Sequence, residues 1–114
     1  MSDCIFCKIA AGEIAADLVY EGDEVVAFRD ITPQAPTHIL VIPRRHISTL
    51  LDSTDETAPL LGRMQQAAVE IARREGLAER GFWLVTNCLE EAGQSVFHLH
   101  LHLLGGRRLG WPPG

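Results

Sequence analysis

Apolar and polar residues alternate along Phe97-His98-Leu99-His100-Leu101-His102-Leu103, and the run closes on Leu104. Period 2 over this length predicts a half-buried strand across 97–104. On it Phe97, Leu99, Leu101 and Leu103 face a core. His98, His100 and His102 share the other face, with neighbours roughly 7 Å apart. Other runs predict four more strands. Segments 18–20 and 24–29 flank Gly22-Asp23, a turn pair that makes them a hairpin. Segment 38–43 is apolar after His38, stops at Pro43, and reads as a central strand. Segment 82–87 is the fourth in chain order. A helical period takes over at Leu60, Leu61, Met64, Ala67, Ala68, Ile71 and Ala72, which form one stripe. Pro59 is tolerable only in a first turn, so the helix starts close to it. Ser53 and Glu56 have capping-box spacing, and Gly76 supplies a stop. Residues 4–11 predict a short helical turn ending near Gly12. Residues 32–37, with two prolines, and 89–94 are loops.

A chain of 114 residues, 46% of them hydrophobic, is enough for one domain, 1–114, with a real core. The net charge of −5 argues against nonspecific nucleic-acid binding, and the Arg44-Arg45, Arg73-Arg74 and Arg107-Arg108 pairs read as solvated surface. An anionic ligand must then be held by local donors. No apolar run approaches a membrane span, so no membrane partner is expected. No basic region followed by an apolar stretch opens the chain, so no signal peptide is expected. Three cysteines, an odd number, suit a reducing cytoplasm.

Three of the five histidines fall within five residues, which makes coincidence a poor account of them. A polar strand face or a metal patch remains the plain alternative to catalysis. Upstream, Gly93-Gln94-Ser95 and Asn87 offer a backbone that can approach an anion closely, together with neutral donors. A neutral imidazole beside such a cradle is a good nucleophile for phosphorus. Cys4 and Cys7 form a C-x-x-C, which spells a zinc chelate or a redox pair. Zinc needs two further ligands, for which His46 and His98 are candidates. By spacing alone Asp30 is a turn cap before Pro33, and His38 is a polar strand terminus. The helical stripe serves core packing or a helix–helix contact equally well.

The stretch Gly93-Gln94-Ser95-Val96-Phe97-His98-Leu99-His100-Leu101-His102-Leu103-Leu104 resembles the signature of the histidine triad (HIT) nucleotide hydrolases and transferases. Arg29-Asp30-Ile31-Thr32-Pro33-Gln34-Ala35-Pro36-Thr37-His38, Gly105-Gly106-Arg107-Arg108 and Trp111-Pro112-Pro113-Gly114 resemble its Hint branch. The resemblance implies an α+β fold, with a five-stranded antiparallel sheet, one long helix and one short N-terminal helix. It implies a purine nucleoside phosphoramidase that cleaves P–N bonds through a nucleotidyl-histidine. A dinucleoside polyphosphate hydrolase is the alternative within the family, and a nucleotide-binding scaffold with little turnover is the alternative outside catalysis. His100 is implied as nucleophile and His102 as the holder of a phosphate oxygen. His98, His38 and Ser95 support them. Phe6, Ile9, Phe28 and Ile31 are implied to line a base pocket, Asp30 to hold ribose, and Asn87, Gly93, Gln94 and Ser95 to hold phosphate. Trp111 is implied to lie near the active site of a partner subunit in a homodimer. Cys4, Cys7, His46 and His98 are implied to bind structural zinc, and no catalytic metal is expected.

Overall fold

A computed structural model describes residues 3–114. Its single sheet has five strands: β1 (Leu18–Glu21), β2 (Val25–Arg29), β3 (Thr37–Pro43), β4 (Trp83–Val85) and β5 (Leu101–Gly105), in the order β1-β2-β3-β5-β4. Every pairing is antiparallel. Two α-helices accompany it, α1 (Ile5–Ala10) and α2 (Ala58–Arg74). The architecture is the α+β sheet with one long and one short helix that the sequence implied. Segment 38–43 is indeed central, and β3 is buried along its whole length.

Parity along the strands sorts side chains between the two helices. Val25 and Ala27 of β2, Ile39 and Val41 of β3, and Leu103 of β5 join the main core, with Leu60, Met64, Ala67, Ala68, Ile71 and Ala72 of α2. Val26 and Phe28 of β2 and Leu40 and Ile42 of β3 turn to the opposite face, where Phe6 and Ile9 of α1 cover them. Both faces of β2 and β3 are therefore dry, which is why these strands read as continuous apolar runs. On β5, His102 pairs in register with Leu40, so the imidazole lies on the α1 side.

The predicted stripe on α2 is buried as expected, with Leu61 only partly covered. After the helix Gly76 takes φ +78°, and Leu77 N–H then donates to the Ala72 carbonyl. Gly106 has φ +93°, and a Cβ there would lie 2.8 Å from Pro36, so both torsion and space require glycine.

Four details differ from the sequence expectation. The capping box belongs to Thr49 and Asp52, at the head of a short 3-10 turn (Leu50–Asp52), and not to Ser53 and Glu56. Thr57 is the N-cap of α2 but makes no side-chain cap bond. Its hydroxyl accepts from Thr54 N–H and donates to the Thr54 carbonyl. β4 has three residues in place of the six of 82–87, because the chain leaves the sheet after Val85 for the loop that Asn87 and Gln94 organise. β5 begins at Leu101, four residues later than predicted. Its pairing with β3 runs from Thr37↔Gly105 to Val41↔Leu101, and β3 ends at Pro43, which has no N–H to give. Leu99 N–H donates instead to the Ile47 carbonyl at 2.6 Å. Phe97, expected in the core, is 49% exposed because it lies before both the Leu99 bond and the strand pairing.

Candidate active site

The three histidines keep one parity but take three different tasks. His98 is fully buried, and its Nε2 lies 2.8 Å from the Pro43 carbonyl. A carbonyl can only accept, so Nε2 carries the proton and Nδ1 presents a lone pair. That Nδ1 points into a group of four donors with Cys4, Cys7 and His46. Its neighbours are Cys4 Sγ at 3.3 Å, Cys7 Sγ at 3.4 Å and His46 Nδ1 at 3.2 Å, and Cys7 Sγ lies 3.3 Å from His46 Nδ1. A tetrahedral ion with bonds of about 2.05 Å to nitrogen and about 2.3 Å to sulfur needs edges of about 3.3 Å between nitrogens and about 3.6 Å between nitrogen and sulfur. The edge between nitrogens matches, and the three between nitrogen and sulfur are a little shorter than that figure. The donor set, two thiol sulfurs and two imidazole nitrogens, is one that can hold a metal ion. His46 Nε2 lies 3.2 Å from Ser48 Oγ, which leaves Nδ1 for the group.

His100 Nδ1 lies 2.7 Å from the His98 carbonyl. By the same logic Nδ1 donates, and in the neutral ring the lone pair sits on Nε2. Phe6 meets the ring edge-on at 5.2 Å between centroids and restricts its rotation. His100 and His102 are neighbours, 5.0 Å apart by ring centroids.

His102 takes its protonation pattern from a chain of hydrogen bonds. Gln34 N–H donates to His38 Nδ1 at 3.0 Å, so the His38 proton is on Nε2. His38 Nε2 lies 2.9 Å from His102 Nδ1, which accepts, and the His102 proton is then on its own Nε2. Burial, with the fields of His100 and His38, pushes the His102 imidazolium down to about 4, against the opposing pull of Asp30. Burial also lowers His38, with Asp30 opposing, and lowers His98. All three rings are neutral near pH 7, as the tautomer chain requires. Asp30 Oδ2 lies 3.4 Å from His38 Nε2, and its Oδ1 accepts from Thr32 N–H and Thr32 Oγ1–H.

His100 and His102 open on a cavity of about 460 Å³. Phe6, Ile9, Phe28 and Leu40 form its apolar floor, Asp30, Ile31 and Thr32 one rim, and Ser95 and Val96 another. Ile31 is 95% exposed and stands at the mouth, not in the floor. A mostly apolar pocket with a few convergent polar groups is the usual form of a small-ligand site. Two other depressions, of about 510 and 500 Å³, contain no histidine or cysteine.

The fold therefore brings together His100, His102, Ser95, Asp30, Phe6, Ile9, Phe28 and Ile31 around one cavity, with His38 behind His102. Asn87, Gly93, Gln94 and Trp111 are not on its wall. Asn87 Nδ2–H donates to the Ala92 carbonyl. Gln94 is buried. Its Oε1 accepts from Leu89 N–H, and its Nε2 donates to the Ser48 and Val96 carbonyls, so it ties together the loop leading to the histidines. Trp111 is 85% exposed. Sequence reasoning missed Thr32, Gln34 and Pro43. The Asp30-x-Thr32 spacing of an Asx turn was a signal for Thr32. The other two act through main-chain atoms and leave no mark in residue identity.

A histidine triad of this kind, leading into an antiparallel strand beside an apolar pocket, defines a class, and comparison with known proteins places the chain in it. Residues 11–109 match the HIT domain model, and the chain belongs to the HIT family. It is 54% identical to an uncharacterised HIT-like protein of Synechococcus elongatus, over 98% of this chain and 97% of that one. It is 53% identical to the purine nucleoside phosphoramidase of Escherichia coli, over 95% of this chain and 91% of that one. Among solved structures, a HIT family hydrolase from Legionella pneumophila superposes with a TM-score of 0.97 at 53% identity. That match covers 98% of this chain and all of the other.

Proposed function

We propose that this chain hydrolyses the P–N bond of purine nucleoside 5′-phosphoramidates, releasing a nucleoside monophosphate and an amine. The observation that carries the reading is the His100 tautomer: a main-chain carbonyl takes Nδ1–H, so the Nε2 lone pair is the nucleophile available to the cavity. The phosphoramidase activity of the E. coli relative, at 53% identity, supports the same reaction. The base lies on the floor formed by Phe6, Ile9 and Phe28, with Ile31 closing the mouth and the Asp30 carboxylate taking the ribose hydroxyls. His100 Nε2 bonds to phosphorus as the P–N bond breaks, and the amine departs with a proton taken up from solvent. Water then cleaves the P–Nε2 bond and restores the imidazole. His102 Nε2–H donates to a nonbridging oxygen as charge develops there. Ser95 holds the leaving amine. Asn87, Gly93 and Gln94 shape the loop whose backbone meets the phosphate.

Cys4, Cys7, His46 and His98 bind zinc in a closed structural site, a reading supported by the clustering of two thiols and two imidazoles within 4.8 Å. The ion fastens the N-terminal segment to His98, whose carbonyl orients His100; no reaction step runs through it. The chain works as a homodimer in the cytoplasm, joined through α2 and β4, with Trp111 reaching the partner's cavity.

The test is a steady-state assay of adenosine 5′-phosphoramidate against a dinucleoside polyphosphate. We expect kcat/KM to favour the phosphoramidate. His100→Asn should lower turnover by about 10³-fold or more while adenosine monophosphate still binds. Preference for the polyphosphate would move the substrate assignment, and an active His100→Asn would remove the nucleophile.

A further inference from the structure

The His38 ring proton has one hydrogen-bond acceptor and one carboxylate oxygen close by. Gln34 N–H occupies Nδ1, so the proton is on Nε2, and Nε2 faces His102 Nδ1 at 2.9 Å and Asp30 Oδ2 at 3.4 Å. Both partners are held in place. Thr32 grips Asp30 through Oδ1 with two hydrogen bonds, at 2.8 and 3.1 Å, which leaves Oδ2 turned toward the ring. The His38 side chain is only 4% exposed, so water offers it little alternative. Asp30 and His102, the two neighbours of this proton, also line the cavity. The three residues form a compact group, with their donor atoms within 4.8 Å of one another.

From this geometry we infer that Asp30 links sugar recognition to the phosphate-facing donor, so that a bound ribose diol raises the rate of the chemical step as well as the affinity. The inference rests on the nucleotide reading of the cavity given above. Without a nucleotide the Asp30 carboxylate pulls electrostatically on the His38 proton, at 3.4 Å from Nε2, and opposes its full donation to His102. A sugar hydroxyl donating to Oδ2 satisfies the carboxylate. The His38 proton is then committed to His102 Nδ1, and His102 Nε2–H is held toward the phosphate. Asp30 and His38 are positioning residues in this scheme, because they act through His102. An aspartate that only gripped the sugar would change KM and leave the rate at saturation alone.

Two measurements test the link. The first follows the histidine ring nitrogens by ¹⁵N NMR of the wild-type protein, with saturating adenosine or saturating 2′,3′-dideoxyadenosine. Neither ligand carries a phosphate, so any response of His102 comes through the sugar. We expect adenosine to move the His102 Nδ1 resonance toward a stronger acceptor and the dideoxynucleoside to leave it near its unliganded position. The second compares single-turnover rates at saturation for adenosine 5′-phosphoramidate and its 2′,3′-dideoxy analogue. We expect the analogue to react about fivefold more slowly, the scale of one hydrogen bond weakened. In Asp30→Ala, where nothing competes for the His38 proton, that difference should vanish. Equal saturating rates in the wild type, or identical His102 responses to the two nucleosides, would overturn the link and leave the nucleotide reading standing. A protein that bound neither nucleoside would overturn both.

Discussion

His102 shows how far one residue's chemistry is set by its surroundings. Its folded-state imidazolium titrates near 4, below the ordinary histidine value, because burial disfavours the charge. Between about 6.5 and 4 the unfolded chain therefore binds a proton that the folded one refuses, and stability falls as pH falls through that window. His38 acts in the same direction. Urea midpoints at pH 7.5 and pH 4.5 should differ, with His102 contributing at most about 3 kcal/mol. His102→Gln should make the dependence shallower, and an unchanged slope would contradict the burial argument. At this scale the sequence was legible where identity carries chemistry. The alternating histidines and Cys4-x-x-Cys7 could be singled out from spelling. The Gln34 amide, the Pro43 carbonyl and the Ile47 carbonyl could not, because any residue supplies the same main-chain atoms.

Among the elements, α1 depends most on its surroundings. Six residues are too few for a helix to stand alone in water. Phe6 and Ile9 pin it to the sheet, and its N-cap is Cys4, whose Sγ accepts from Cys7 N–H. The proposed zinc ion thus sits at the start of a helix that supplies part of the base pocket. Metal analysis of the purified protein should give one zinc per chain. Cys4→Ser with Cys7→Ser should remove the ion and lower Tm by about 5–10 °C. Native protein without zinc would discard the site. The sequence located α1 before its Gly12 stop, α2 by its period, the β1–β2 hairpin by its turn pair and β3 by an apolar run that ends at Pro43. It overran β4 and β5, since a strand's length depends on how far its partner continues, and Pro43 ends the partner of β5.

For the whole molecule, the sheet is thick at its centre and thin at its margin. Helices cover both sides of β2 and β3, while β4 is a three-residue edge and Leu51 and Phe97 are exposed. A three-residue edge and singly scattered apolar residues are ordinary on a protein surface, so the proposed homodimer is carried by family likeness. Sedimentation equilibrium at micromolar concentration should return twice the 12.6 kDa chain mass. A monomer at 100-fold higher concentration would refute the homodimer. The overall architecture was readable in advance because burial on one or two faces dictates the residue pattern. Quaternary contacts leave no comparable period, and Trp111 could be tied to a partner only by family likeness.

The anchored stretch from Gln94 to Leu101 has a further consequence for how this chain tolerates change. It is clamped at one end by the Gln94 carboxamide and at the other by the sheet register, so its contour length is set. Dropping or adding one residue would swap imidazoles for leucine side chains across the midplane, stranding nitrogen in oil and hydrocarbon in the cleft. Arithmetic, more than spelling, is what an insertion here would violate.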